Sequence, residues 1–128
     1  GKVYVSNTEA NNLTRFEGPG VFGGSTVQGK LALSRISIVD PANPADTTAI
    51  RHLNKHINYA QLPAPAGTKN HSLATPLEMV IDPVTNKLYV AAFGSAKIGV
   101  FDVNALDNDT FDPTTASSGY ITVSGGGP

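Results

Sequence analysis

The sequence contains no cysteine. Disulfides, thiolate metal ligands and a covalent haem attachment through Cys-x-x-Cys-His are therefore excluded within these residues. Charged residues make up only 15% of the chain, and the formal net charge is −1. This near balance gives no electrostatic reason to expect nucleic acid or an anionic membrane surface as a partner. No apolar run reaches the roughly 18 residues that a membrane-spanning helix requires, so no membrane span is predicted.

Turn-forming residues outnumber leucine and glutamate. The chain has 9 leucines and 3 glutamates, against 13 glycines, 9 prolines and many serine, threonine and asparagine residues. This composition is typical of short strands joined by turns and disfavours long helices. A chain of 128 residues suits one domain better than two. The composition therefore predicts an all-β fold.

Two parts of the chain repeat one pattern. Residues 2–5 (Lys-Val-Tyr-Val) recur as residues 87–90 (Lys-Leu-Tyr-Val), and residues 36–40 (Ile-Ser-Ile-Val-Asp) recur as residues 98–102 (Ile-Gly-Val-Phe-Asp). A repeated strand pair in a fixed order is the signature of an array whose units bury their faces against one another. Because the first copy starts already inside a strand, we expect the chain to be a piece of a longer array.

The second copy lies in the clearest unit, where four short runs are separated by turn signals such as Asp82-Pro83. Consecutive short strands joined by tight turns form an antiparallel meander. Nearly continuous apolar runs, such as residues 88–93, are typical of strands covered on both faces. Four-stranded sheets covered on both faces by similar sheets are the blades of a β-propeller. The predicted fold is therefore all-β, with four-stranded antiparallel blades in an incomplete ring.

The repeat also predicts how the chain is divided. Residues 1–53 supply strands two to four of one blade, with an insertion at residues 8–30. Residues 54–75 form an inserted loop between the blades, residues 76–124 a complete blade, and residues 125–128 the start of the next one. Loops of a meander alternate between its two ends, so both insertions are expected on one side. Loops enlarged on one side of a repeat array commonly mark its working face.

The repeated segments resemble the YVTN repeats of bacterial and archaeal β-propellers, through Lys-x-Tyr-Val and through Asp-Pro-x-Thr-Asn-Lys at residues 82–87. Related bacterial propellers are extracytoplasmic, some lactonase-like and some joined to a c-type cytochrome segment. Residues 51–57, 72–78 and 124–128 resemble the cytochrome-linked group. The resemblance implies a periplasmic, cell-surface or secreted bacterial protein. Any haem would belong to another part of the protein, because this chain has no Cys-x-x-Cys-His.

Three histidines are the candidate metal ligands. His52 and His56 are four residues apart, which places them on one side of a helix or of a strand, and His71 follows in the same inserted loop. Three imidazoles could converge on a metal. No further ligand follows at a regular spacing, and the glutamate of the His-Glu-x-x-His motif is absent. We therefore expect the histidines to anchor the loop and not to bind a metal. Together with Phe16 and Phe22 of the first insertion, the three histidines form the predicted binding face.

Acidic residues offer two further interpretations. Residues 107–112 superficially resemble a calcium loop, but the turn glycine is absent and Ser118 stands where the bidentate Glu should be. A solvated loop with Asx turns is favoured, at the end of the sheet opposite the insertions. Asp40 and Asp102 end equivalent strands, and their repetition indicates a structural role as turn-capping acceptors.

Two functions of different classes follow from the sequence. The favoured one is a non-catalytic propeller segment that acts as a scaffold and recognition surface and is completed by other blades or chains. It requires no cofactor within these residues. The alternative is a wall of the active site in a redox or lactonase-like propeller enzyme. No catalytic residue is assigned, because the sequence shows no nucleophile beside an acid-base pair.

Overall fold

The computed structural model describes residues 1–11, 30–43, 49–61 and 63–125. Within them the strands are β1 (Val3–Ala10), β2 (Ala32–Val39), β3 (Ala49–His52), β4 (Pro76–Asp82), β5 (Lys87–Ala92), β6 (Lys97–Asp102) and β7 (Ile121–Thr122). The helices are α1 (Val103–Asp107) and α2 (Pro113–Ala116), and 3₁₀ turns span Thr68–His71, Phe93–Ser95 and Ser117–Gly119. The sequence pattern predicts all of these strands but neither helix.

The strands form two antiparallel sheets. The first has the order β1-β2-β3 and the second the order β4-β5-β6-β7, so each strand pairs with its neighbours along the chain. This confirms the all-β prediction of antiparallel meanders. β1 continues to Ala10, and Asn11 N still donates to Leu31 O at 2.9 Å. Part of the segment expected to be an insertion, residues 8–30, is therefore an extension of the sheet.

The sequence repeat is also a structural repeat, because residues at equivalent positions have equivalent cross-strand partners. The corresponding pairs are Val3–Val39 and Leu88–Phe101, Tyr4–Ile38 and Tyr89–Val100, and Ile36–Arg51 and Ile98–Ile121. Side chains alternate between faces along a strand, so this register also fixes which face each residue occupies. Thus β1, β2 and β3 correspond to β5, β6 and β7. Among the described residues, the first sheet has no counterpart of β4.

The two sheets share one core but contribute non-equivalent faces to it. Ile36 and Ile38 of the first sheet are buried in one cluster with Leu88, Val90 and Phe101 of the second. By the repeat, Ile38 corresponds to Val100, which lies on the opposite face of the second sheet from Phe101. An interface in which two similar units contact each other through different surfaces is a head-to-tail interface, and further units can be added to it in the same way.

Each sheet buries one face within the described residues. β2 and β5 alternate between buried and half-buried positions. On the outer face of the second sheet, Val80 is 64% exposed and Ile121 is 49% exposed. The apolar runs predict cover on both faces, and the described residues supply cover on one. The remaining apolar faces are left at the two ends of the sheet pair.

The segment between β6 and β7 is folded against the core as two short helices. Leu106 of α1 is fully buried, and Phe111, which precedes α2, is 6% exposed. Phe111 meets the ring of Phe101 edge-on, with ring centroids 5.4 Å apart. The polar composition of this segment predicts a solvated loop. Burial of Leu106 and Phe111 explains why the segment packs against the core instead.

Aspartates cap the turns and helices that follow the strands. Asp102 accepts a hydrogen bond from Ala105 N at 3.1 Å and begins α1. Asp40, at the equivalent position of the first sheet, accepts one from Ala42 N at 3.0 Å. The predicted role of both residues as capping acceptors is confirmed. In both places the carboxylate satisfies a backbone N–H where the sheet ladder ends.

Candidate functional site

The loop between β3 and β4 is fastened to the core at both ends. Leu53 and Leu73 are fully buried. Between them, Asn54 Nδ2 donates to Leu73 O at 2.7 Å, and Leu73 N donates to Asn54 Oδ1 at 2.8 Å. The amide side chain thus pairs with the backbone as a neighbouring strand would. The loop is held in one place even though most of it is irregular.

A lysine of the second sheet holds the middle of this loop. Lys97 Nζ donates to the backbone oxygens of Lys69, Asn70 and Ser72, at 3.2, 2.8 and 3.4 Å. These carbonyls belong to the 3₁₀ turn and the residue that follows it, and Lys69 O also accepts a hydrogen bond from Ser72 N at 3.3 Å. Burial, and then the nearby charge of Lys69, lower the pKa of Lys97. The cation therefore acts as a structural anchor for the loop.

Two of the three candidate histidines meet on this loop. The rings of His56 and His71 lie edge to face, with centroids 5.9 Å apart. His56 Nε2 lies 3.2 Å from Thr68 O, and Ser72 Oγ donates to the same carbonyl at 2.8 Å. A proton on Nε2 satisfies that carbonyl and leaves Nδ1 as an acceptor. This Nδ1 is buried without a hydrogen-bond partner among the described residues.

His71 is joined to the segment that carries the helices. Its Nδ1 lies 2.6 Å from Ser117 Oγ, and Ser117 Oγ also lies 3.1 Å from Thr114 O. The hydroxyl proton can go to Thr114 O or to His71 Nδ1, and the tautomer of His71 decides which group donates in the short contact. The contact helps to fix the loop against residues 113–119.

His52 lies apart from the other two histidines. It ends β3 and lines a separate pocket of about 210 Å³, whose walls include neither His56 nor His71. In the described ranges, no group of three or more His, Cys, Asp or Glu side chains is placed to hold a metal ion. Among the described residues, the geometry brings two of the three imidazoles together.

The described end of the first insertion contacts the second insertion. Lys30, at the end of the first insertion, lies over the ring of Tyr59 in the second, with Nζ 5.4 Å from the ring centroid. That both insertions project from one side stays a prediction, because residues 12–29 lie outside the described residues. Phe16 and Phe22 of the predicted binding face lie outside the described residues. The described part of this face also contains a shallow pocket of about 530 Å³ lined by residues of the range 57–72.

The acidic segment contacts this loop, although the sequence places it at the opposite end. Lys55 Nζ lies 2.9 Å from Asp109 Oδ1 and 4.0 Å from the centroid of the Phe111 ring. Asp112 accepts from Thr114 N at 2.9 Å and caps α2. The expected position is wrong because residues 103–120 run the length of the second sheet before β7 begins. The carboxylates are occupied by these partners and not gathered around a cation.

A groove between β1 and β4 contains none of the candidate residues predicted from the sequence. The groove has a volume of about 700 Å³ and is lined by residues 2–6, residues 77–81 and Leu88. Ser6 Oγ donates to Leu77 O at 2.6 Å and joins its two walls. The sequence carries no local signal for it, because Val3 is aliphatic like its repeat partner Leu88 and differs from it in exposure.

The chain has no match among protein-family models, curated proteins or solved structures. None of the helices in the described residues is long and apolar enough to cross a membrane. The function is therefore argued from the sheets and the loop surface.

Proposed function

We propose that this chain forms two neighbouring blades of a larger β-propeller and serves as a non-catalytic scaffold and recognition surface. The observation that carries the proposal is the repeated register, in which β1-β2-β3 reproduces β5-β6-β7 pair by pair. Identical units that pack through non-equivalent faces leave one face of each kind open at the ends. Further blades of the same type would cover both, and a ring would leave neither exposed.

Apolar side chains on the open faces support this proposal. On the second sheet the outer face is formed by Val80, Tyr89, Ile98, Val100 and Ile121. Leaving such a surface in water forgoes about 25 cal/mol per Å² of apolar area. Contiguous apolar patches on a sheet face commonly mark an interface. The partners we propose are other blades, from the same protein or from other chains.

The recognition surface in this proposal is the side that carries both enlarged loops. The loop of residues 54–75 is held rigid by Asn54 and Lys97, so its exposed side chains are presented in a fixed arrangement. Such preorganisation reduces the entropy that binding must offset. The resemblance to YVTN-repeat propellers supports an extracytoplasmic location.

The association state of the chain tests the proposal. We expect light scattering to show species larger than 13.3 kDa at micromolar concentration, because the open faces stack. Replacement of Ile98 by Glu, on the outer face, should restore the monomer. Val84→Glu is the matched control, since Val84 lies in the β4–β5 turn and is 90% exposed. A compact monomer whose size is unchanged by Ile98→Glu would overturn the proposal.

A second candidate is a redox or lactonase-like propeller enzyme, favoured by the approach of His56 and His71 on the enlarged loop. In this case the loop that carries both histidines would contact a substrate. The chain has no cysteine to attach a haem, so a c-type haem would have to lie elsewhere in the protein. Haem absorbance, or lactone hydrolysis that falls in His56→Ala but not in His52→Ala, would support this candidate. If the whole protein shows neither haem absorbance nor lactone hydrolysis, this second candidate is rejected.

A further inference from the structure

Among the described residues, the first sheet has an unpaired edge at the position where β5 of the second sheet is paired with β4. In the second sheet, β5 lies between β6 and β4, with Val80 opposite Tyr89 and Ile81 opposite Leu88. Among the described residues, β1 corresponds to β5 but pairs only with β2. Unpaired backbone groups along a strand are a template for another strand.

The hydrogen-bond pattern identifies the backbone groups on this open edge. Asn11 N donates to Leu31 O, so Asn11 faces β2. Backbone groups of an antiparallel strand point alternately to its two neighbours. The backbone N–H and C=O groups of Val3 and Val5 therefore face β2, whereas those of Tyr4 and Ser6 point away from β2, to the outer edge. In the second sheet, Tyr89 corresponds to Tyr4 and faces β4.

Side chains beside the edge lack the cover that their counterparts have. Leu88 and Val90 are 1% and 0% exposed, because the first sheet covers them in the core and Ile81 and Met79 of β4 lie opposite them. Val3 and Val5, at the same positions of the repeat, have neither kind of neighbour among the described residues and are 50% and 44% exposed. The groove of about 700 Å³ runs beside these valines, with Leu77 and Val80 of β4 on its other wall. The edge thus offers both backbone pairing and apolar contact to one extended segment.

We propose that the outer edge of β1 binds an extended partner segment of the β4 type and takes it up as the fourth strand of the first sheet. The segment runs antiparallel to β1, and its backbone pairs with Tyr4 and Ser6. Aliphatic side chains in the positions of Met79 and Ile81 cover Val5 and Val3. This is strand addition to a sheet edge, in which the backbone gives affinity and alternate side chains give specificity. The inference deepens the propeller function proposed above, on which it rests.

The chain itself supplies the probe, a synthetic peptide with the sequence of residues 74–84. We expect saturable binding and slowed hydrogen exchange of the Tyr4 and Ser6 amides. Val80 lies opposite Tyr89, so the Val80 N–H faces the neighbouring strand and the Ile81 N–H faces away. Methylation of the peptide nitrogen at Val80 should weaken binding by about tenfold or more, since a backbone hydrogen bond is lost. Methylation at Ile81 is the matched control and should leave binding nearly unchanged.

Three outcomes would overturn the inference. One is the absence of protection at Tyr4 and Ser6 with peptide at about 1 mM, where even weak association is detected. Another is equal binding of the two methylated peptides. The third is protection of these amides without peptide that grows with chain concentration, which would assign the edge to a second copy. If the chain stacks, Ile98→Glu abolishes the stacking and the peptide does not bind, the propeller proposal stands and the added strand is rejected. If the peptide binds but the chain does not stack, the added strand stands and the propeller proposal is rejected.

Discussion

Tyr4 Oη donates a hydrogen bond to Asp107 Oδ1 at 2.7 Å and so joins the first sheet to helix α1. Lys2 Nζ lies 2.8 Å from the other carboxylate oxygen. Burial, then the hydrogen bond and the charge of Asp107, raise the pKa of Tyr4, so the phenol stays protonated and remains a donor. The contact fixes the beginning of β1 against the second unit.

Loss of this hydrogen bond should weaken the interface between the units. Tyr4→Phe keeps the ring but removes the donor to a charged acceptor, and we expect the free energy of unfolding to fall by about 1 kcal/mol. Urea denaturation measures the change. Tyr89→Phe is the matched control, because Tyr89 holds the equivalent position on the outer face of the second sheet. Equal losses in the two variants would contradict the role of Asp107.

Gly99 makes room for the loop that follows β3. A Cβ at this position would lie 2.5 Å from Leu73 Cδ1 and 3.0 Å from the Phe101 ring, both fully or almost fully buried. Gly99→Ala should therefore destabilise the fold by about 1–3 kcal/mol through overpacking. Thermal or urea unfolding would show it.

A double-mutant cycle separates the clash from other effects of Gly99→Ala. Leu73→Ala alone leaves a cavity, at a cost of about 2–5 kcal/mol. If the new methyl group collides with Leu73, the double variant should lose clearly less stability than the sum of the single losses. Strict additivity would place the cost in the backbone of β6 and not in this contact.

The anchoring of the 3₁₀ turn by Lys97 can be tested without unfolding the protein. Lys97→Met keeps most of the aliphatic stem but removes the donor to three carbonyls. We expect hydrogen exchange of the backbone amides in residues 68–72 to speed up by roughly tenfold, while exchange in β5 and β6 stays slow. Lys87→Met, at the other end of the second sheet, should leave the loop unchanged. Faster exchange throughout the sheet would show a global effect instead.

The strands could be predicted because their signals are local. β-branched and aromatic runs bounded by turns such as Asp82-Pro83 define β4 and β5, and the period-two repeat fixes their register. Helices α1 and α2 span five and four residues, too few to show an apolar periodicity. Their only local signals are the capping aspartates Asp102 and Asp112, the latter before Pro113.

The candidate site was less accessible from the sequence, because its contacts join distant segments. His71 meets Ser117, and Lys55 meets Asp109, across the path that residues 103–120 take along the sheet. His52 and His56 are only four residues apart, yet β3 ends at His52 and His56 lies in the following loop, so the two side chains have different surroundings. The open edge of β1 required the pairing of both sheets to be known.

The capping role of Asp102 predicts a dependence of stability on pH. The Ala105 N–H, and more weakly Lys87, lower the pKa of Asp102 in the folded protein. A lowered folded pKa contributes stability above the unfolded value of about 4, and this contribution is lost as the pH falls through the folded pKa. We expect Asp102→Asn, which still caps α1 but does not titrate, to flatten the fall in unfolding free energy below about pH 4. Asp102→Ala should lower stability at neutral pH as well, because the cap is lost. A native acid profile in Asp102→Asn would assign the dependence to other carboxylates.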